Sequence, residues 1–465
     1  MQTVIRALPE VNLYALLYRR GLNPKVLMQW GVILAVLLVS LVVGVRPSLS
    51  FLALPVGVVG ALLFWRQPTI AFLLVIQLGM IAPFYGPGGL NLTMIGIAVL
   101  MGLWLAGMIL QKRSIWFTSS ETARPALIFL GVVVLAFVIG QLPWFRIQAA
   151  PMNAQVGGLM VFVISVGAFL FVSNKFTDLR WMAWFIWVFL GYGALHMLGW
   201  MVPRLGDYYS GLIFAYGTGG SMFWTWIATL AFSQAIFNAR LKIVPRVALF
   251  ALVAVTMYVA YVLNGEWKSG WMPPAISMAV ILLLRSWRFG YVLGLAGIYP
   301  TIQIFSSALA NDEYSYSTRM DAWILVGKLI KVNPILGLGP ANYYWYTPLL
   351  RIRGYAVNFN SHNQYVDLVA QAGLLGLAAF FWLMLSIGRV GWRIRNKVDD
   401  GFEKAYVYGA LGGWVATLAA AAFGDWVLPF VYNVGLDGMR ASILPWIFFG
   451  GLIVLDLKHR QPTSG

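Results

Sequence analysis

Residues 156–173 read VGGLMVFVISVGAFLFVS, eighteen consecutive positions without a charged side chain. Wound as an α-helix, such a stretch is about 27 Å long, close to the hydrocarbon thickness of a bilayer at about 30 Å. Outward from it, similar apolar runs recur along the whole chain, separated by short segments carrying Pro, Gly, Arg or Lys. About fourteen can be placed, centred near Val36, Val56, Leu74, Val99, Val134, Ile164, Trp187, Trp224, Val253, Ala279, Leu295, Leu375, Gly413 and Phe449. Of the 465 residues, 60% are hydrophobic and only 10% charged, whereas a soluble domain carries about 25% charged residues. Mean hydropathy is +0.79. The expected fold is therefore all-α, a polytopic integral membrane protein with about 14 transmembrane helices and no sizeable soluble domain. The run near Val36 is longer than a signal-peptide apolar region and lacks a clean small-x-small site after it, so it is expected to be retained.

A net charge of +17 invites a nucleic-acid reading, but the basic residues sit between apolar runs and alternate in density from loop to loop. Topology explains that pattern. With the N-terminus inside, roughly two-thirds of the 32 Lys and Arg are cytoplasmic, in clusters such as Lys112/Arg113/Arg124 and Arg389/Arg393/Arg395/Lys397/Lys404. Short outer loops then carry only Arg46, Arg146, Arg204, Lys268 and Arg440. Both termini are expected in the cytoplasm, and no nucleic-acid partner is expected. The absence of cysteine is compatible with one face in an oxidising compartment.

The expected organisation is a cytoplasmic N-terminal segment over 1–25, whose residues 4–20 suit an interfacial helix, and helices 1–11 over 26–308. An extracytoplasmic loop over 309–361 follows, then helices 12–14 over 362–457 and a cytoplasmic tail over 458–465. The loop is much longer than the other connections and is not disordered in composition, holding Trp323, Trp345 and several Tyr and Leu. Thr318, with Asp321 three residues on, reads as a helix start. Met320, Trp323, Ile324 and Ile330 follow at helical spacing as its apolar face, with Lys328 and Lys331 off it, and Asn333-Pro334 ends it. Arg319 would then lie in the first turn, near the outer interface.

The chain returns to the membrane through Ser361-His362-Asn363-Gln364, where Ser-x-x-Gln before an apolar run reads as a capping box with His362 at the first helical position. The helix dipole there disfavours the imidazolium, leaving a ring able to accept a proton, while free backbone N–H groups favour an anion nearby. A structural role at the helix entry fits His362 equally well. Of the three histidines, His459 falls in the tail, and His196 lies mid-span, where a neutral buried ring bonded to a neighbouring helix is expected. Arg319, Lys328, Lys331, Arg351 and Arg353 outnumber Asp312, Glu313 and Asp321 in the loop, which suits an anionic substrate at the outer face. Asp425 and Asp437 fall in a short outer loop, and no intramembrane proton relay is evident.

Residues from about Ser317 to Leu377 resemble the O-antigen ligase and polymerase superfamily of membrane glycosyltransferases. The likeness rests on Arg319 with Trp323, then Asn333-Pro334-Ile335-Leu336-Gly337-Leu338-Gly339, then His362-Asn363 with Tyr365, and finally Gln371-Ala372-Gly373-Leu374-Leu375-Gly376-Leu377. The resemblance implies an enzyme of the bacterial plasma (inner) membrane that uses no metal or nucleotide sugar. Such an enzyme transfers a glycan, with inversion, from an undecaprenyl-diphosphate carrier to a glycan, lipid-core or protein hydroxyl at the extracytoplasmic face. It implies His362 as the base and Arg319 as the group neutralising the departing diphosphate, with Arg351, Arg353, Lys268, Asn363 and Tyr365 binding substrate. Members commonly carry arginine in a Ser-Arg-Gly-like sequence where this chain has Lys268-Ser269-Gly270, and a lysine there offers a point charge without the arginine fork. The alternative reading, a lipid-linked glycan flippase or other transporter, predicts polar residues at mid-membrane and a pseudosymmetric halving. The candidates instead concentrate in one outer loop, which favours a transferase; with no additional soluble domain expected after the final span, a protein acceptor is the less expected option, and a polymerase is slightly preferred to a ligase.

Overall fold

A computed structural model describes residues 67–112, 115–118, 120–209, 217–288, 290–292 and 313–460. The chain divides into two compact units, Met1–Ala71 and Phe72–Gly465. Of the first, the described residues are the start of one helix; the architecture below is that of the second. The apolar runs expected near Val36, Val56 and Leu295, the amphipathic segment 4–20 and the loop residues up to 312 lie outside the described residues.

Every described element of any length is helical: α1 Pro68–Ile81, α2 Leu92–Lys112, α3 Ser120–Ile139, α4 Met152–Lys175, α5 Leu179–Met201, α6 Pro203–Tyr209 and α7 Ser221–Phe237. Then come α8 Ile243–Met257, α9 Lys268–Arg285, α10 Glu313–Ile330, α11 Asn342–Tyr346, α12 Gln364–Ile394, α13 Phe402–Phe423 and α14 Met439–Arg460. In lipid a helix satisfies its own backbone, so long apolar runs have no other open-chain solution. Eight described helices are long and apolar enough to cross a membrane, which makes this a multi-pass membrane protein. Every expected run whose centre is described coincides with a helix, but α1, α7 and α9 are not among the eight. Against the fourteen spans expected, eight helices qualify among the described residues.

Helices α7, α9 and α13 pack on one another, as do α3 with α12 and α4 with α14. Small residues permit the approach: a Cβ on Gly412 of α13 would stand 2.7 Å from Ile281 of α9, and one on Gly450 of α14 would stand 2.7 Å from Val172 of α4. Thr229 of α7 donates to Ser277 of α9 at 2.6 Å. Helix α14 is the axis of the bundle, with nearly every residue from Met439 to Asp456 buried. At its far end an ionic cluster joins three helices: Arg393 of α12 meets Glu121 of α3 and Asp456 of α14, both at 2.9 Å. The other end of α12 begins beside His362, so that residue and the cluster lie at opposite ends of a 31-residue helix. His196 is buried in α5. Its Nε2 accepts from Trp200 on its own helix at 3.3 Å, and its ring meets Phe223 and Trp224 of α7 edge-on.

Two sequence expectations in the loop are corrected. Helix α10 already runs by Glu313, so Thr318 is interior to it and Arg319 is not in a first turn. Its buried stripe is Ala322, Val326 and Leu329, while Ile324 is 58% exposed; Lys328 and Lys331 are exposed as expected. The cap of α12 is Asn363, whose side chain accepts from the N–H groups of Tyr365 and Val366. Hence the helix starts at Gln364, and His362 precedes the cap instead of occupying the first helical position. Ser361 does not form the expected capping box, because its hydroxyl turns to Asp367 at 2.7 Å.

Candidate active site

Helix α12 is broken at Gly373, where the backbone enters the left-handed region at φ 69. In a continuous helix the N–H groups of Leu374 and Leu375 would bond to the carbonyls of Ala370 and Gln371. Here they donate instead to the carbonyls of Pro334 and Ile335, at 2.8 and 3.2 Å. The freed carbonyls accept from Leu338 and Gly339, at 2.9 and 3.1 Å. The strap 333–339 thus replaces the helix's own hydrogen bonds, which answers the requirement that buried backbone groups be paired. Asn333 closes the strap by donating to the Gly337 carbonyl at 2.9 Å. Two of the motif blocks read from the sequence are therefore the two halves of one joint.

The joint sets the entry to α12. Below it a small apolar core of Val326, Leu329, Leu338, Tyr343, Tyr346, Ala370 and Phe430 ties α10, the strap, α11 and α12 together. Buried Asp367, in the first turn of α12, accepts from Tyr343 and from Ser361 on one oxygen. Burial, reinforced by Asp367, holds the Tyr343 phenol well above its usual range, so it remains a donor. Trp323 of α10 donates to the Ser361 carbonyl at 2.7 Å. Pinned on these sides, the next residue is forced into a left-handed conformation, φ 48 at His362, which costs a non-glycine residue on the order of 1 kcal/mol.

That turn projects His362 into a cavity of about 510 Å³, whose wall also includes Thr318, Arg319 and Ala322 of α10. Tyr344 of α11, the segment Asn358-Phe359-Asn360, and Tyr432 with Asn433 from the α13–α14 connection complete much of it. His362 is exposed at the cavity surface. Partial desolvation by the walls, and then the charge of Arg319, hold its imidazole below the ordinary 6.5. No described acid forms an ion pair with Arg319. A ring held below its ordinary pKa and a guanidinium without an ion-pair partner among the described residues, carried by separate elements, therefore line one cavity.

The other sequence candidates lie elsewhere. Arg353 pairs with Asp321 at 3.1 Å and donates to Ser317, fastening the loop onto α10. Arg351 is exposed and does not line the cavity. Lys268 begins α9, also outside the lining; no ion pair joins it to Glu266 among the described residues. Asn363 caps α12 and donates to the Ala422 carbonyl at 3.2 Å. Tyr365 donates to the Leu418 carbonyl at 2.6 Å and stacks on Phe381, so both anchor α12 to its neighbours.

Sequence reasoning missed Tyr344, Asn360, Tyr432 and Asn433. The last two are shaped by Asp425, which is buried and not simply part of a surface loop. It collects the N–H of Phe430 at 2.6 Å, that of Val434 at 3.4 Å and the Asn433 amide. Burial pushes its carboxyl upward while these donors oppose the shift.

Residues 210–381 match the O-antigen ligase family. The match covers a little over a third of the chain and contains Lys268, Arg319, the strap, the broken first half of α12 and His362. A search of curated proteins finds no match. Tyr432 and Asn433 fall outside the matched O-antigen ligase segment, although they share its cavity.

Proposed function

We propose that the protein is a glycan-transferring membrane enzyme that moves a glycan from an undecaprenyl-diphosphate carrier to a hydroxyl acceptor at the extracytoplasmic face. The observation that carries this reading is the shared cavity of His362 and Arg319. In the proposed step the acceptor hydroxyl attacks the anomeric carbon from the face opposite the diphosphate. A new C–O bond forms, the bond to phosphate oxygen breaks, and its electron pair leaves with the diphosphate. His362 takes the hydroxyl proton, and Arg319 stabilises charge on the leaving group. Diphosphate departs without protonation, so the step calls for one base and one cation. Arg351, Arg353 and Lys268 are proposed only as longer-range attraction for the anionic carrier.

The test is transfer by the purified protein in nanodiscs supplied with an undecaprenyl-diphosphate-linked oligosaccharide, with and without a separate acceptor. Longer lipid-linked chains from donor alone mark a polymerase, and transfer only to an added acceptor marks a ligase. Arg319→Ala and His362→Ala should each lower turnover by on the order of 10²-fold or more. A His362→Ala protein as active as wild type defeats the assignment.

A further inference from the structure

Beside His362 the cavity wall carries a pattern that neither the base nor the cation explains. The rings of Tyr344 and Tyr432 stack with centroids 4.5 Å apart and planes 13° from parallel. Trp345 donates to the Tyr432 hydroxyl at 2.7 Å, which fixes that ring in place. Asn360, which lines the same cavity, is only 8% exposed, and its amide oxygen has no hydrogen-bond partner among the described residues. Buried amides are almost always paired, so an unpaired one lining a cavity points to a partner that arrives with a ligand. That oxygen is itself closed off from solvent, and a half-turn about the soft terminal torsion would exchange it with the amide nitrogen. By contrast, the neighbouring amides are already committed through their nitrogens, Asn358 to the Tyr344 carbonyl at 2.8 Å and Asn433 to Asp425.

An aromatic face with amide groups beside it is the surface that complements a pyranose, whose C–H face is apolar and whose rim is a ring of hydroxyls. A cavity of about 510 Å³ lies within the usual range of small-ligand sites, about 300–1,000 Å³. We propose that Asn360 and the Tyr432 ring form a subsite for the sugar attached directly to the carrier diphosphate, Asn360 bonding one of its hydroxyls and Tyr432 covering its apolar face. The inference rests on the transferase reading, since it is Arg319 on the diphosphate that brings the first sugar into this space. Both residues are positioning and specificity groups, and neither takes part in proton transfer.

The experiment measures binding of the full-length protein in nanodiscs to bare undecaprenyl diphosphate. It then repeats the measurement with undecaprenyl diphosphate bearing glucose, galactose, rhamnose or N-acetylglucosamine. Wild type should bind at least one sugar-bearing carrier about tenfold more tightly than the bare one. Asn360→Ala and Tyr432→Ala should lose that gain while keeping the bare-carrier affinity, and Tyr432→Phe, which retains the ring, should keep most of it. The subsite is overturned if no sugar improves wild-type binding, or if the variants lose affinity for bare and sugar-bearing carriers alike, because a structural role moves both. Failure of wild type to bind even the bare carrier would instead overturn the transferase reading itself.

Discussion

Gly337 and Gly373 meet backbone to backbone: a Cβ on Gly337 would stand 2.7 Å from the Gly373 nitrogen, and both residues have positive φ, 70 and 69. One belongs to the strap and the other to the break in α12, so each needs glycine for space and for conformation at once. Through this contact the strap substitutes for part of the helix, and the first turn of α12 takes its position from the loop that carries the site.

Replacing either glycine by alanine therefore adds a left-handed penalty of about 1–2 kcal/mol to a steric clash with backbone that cannot rotate away. Gly337→Ala and Gly373→Ala should lower the thermal midpoint of the detergent-solubilised protein by several degrees. Gly131→Ala, where an added Cβ meets nothing within 4 Å, should leave it unchanged. Size-exclusion chromatography after a temperature series reads all three, and equal midpoints would refute the joint.

The pH behaviour of His362 has a defined sign. Because desolvation and Arg319 lower its pKa from 6.5, the ring is neutral at pH 7, and base function is present above that range. It should be lost only as the pH falls through a value below 6.5. In protein with labelled histidines, the signal absent from His362→Ala should titrate below 6.5. In Arg319→Gln its midpoint should move upward, since a cation no longer opposes protonation. A midpoint that does not respond to Arg319→Gln would show that the two groups do not share the cavity electrostatically.

The transmembrane helices were legible in the sequence because lipid leaves a long apolar run few alternatives. The break in α12 was not, since Gly373 within an apolar stretch looks like any packing glycine until the strap that fills the gap is seen. At Ser361 and Asn363 two capping residues compete two positions apart, and only the buried Asp367, which draws the Ser361 hydroxyl away, decides for Asn363. Thr318 with Asp321 imitates a helix start inside α10 because a local pattern carries no record of the turns preceding it. His362 stood out as one of three histidines, and Arg319 was set apart from the other loop cations by the family resemblance. Tyr432 and Asn433 did not, since only the folding of α12 and α13 brings a connection some 70 residues farther on to the same cavity.

Asp367 should matter through position. Its oxygen receives Tyr343 and Ser361, and Asp367→Ala would leave the buried Tyr343 hydroxyl without an acceptor, at about 1–3 kcal/mol, while the Ser361 hydroxyl keeps only the Asn363 carbonyl at 2.8 Å. The turn that presents His362 would loosen while Arg319, on another helix, stays in place. The expected signature is a fall in kcat of tenfold or more with little change in affinity for bare undecaprenyl diphosphate. A matched loss of both would point to general unfolding instead.

The chain contains no cysteine, so single introduced thiols can test which face each end of α12 occupies. Tyr355 is 71% exposed and lies in the loop leading to His362. Lys397 is exposed just past the C-terminal end of α12, beyond the ionic cluster formed by Arg393. If α12 crosses the membrane with its start outside, the orientation that the positive-inside rule favours for the basic residues at its other end, the two thiols face different compartments. A membrane-impermeant maleimide applied to intact spheroplasts should then label Tyr355→Cys and leave Lys397→Cys untouched until the membrane is permeabilised. The reverse pattern would place His362 and Arg319 in the cytoplasm, and labelling of both from outside would mean that α12 does not separate the two compartments.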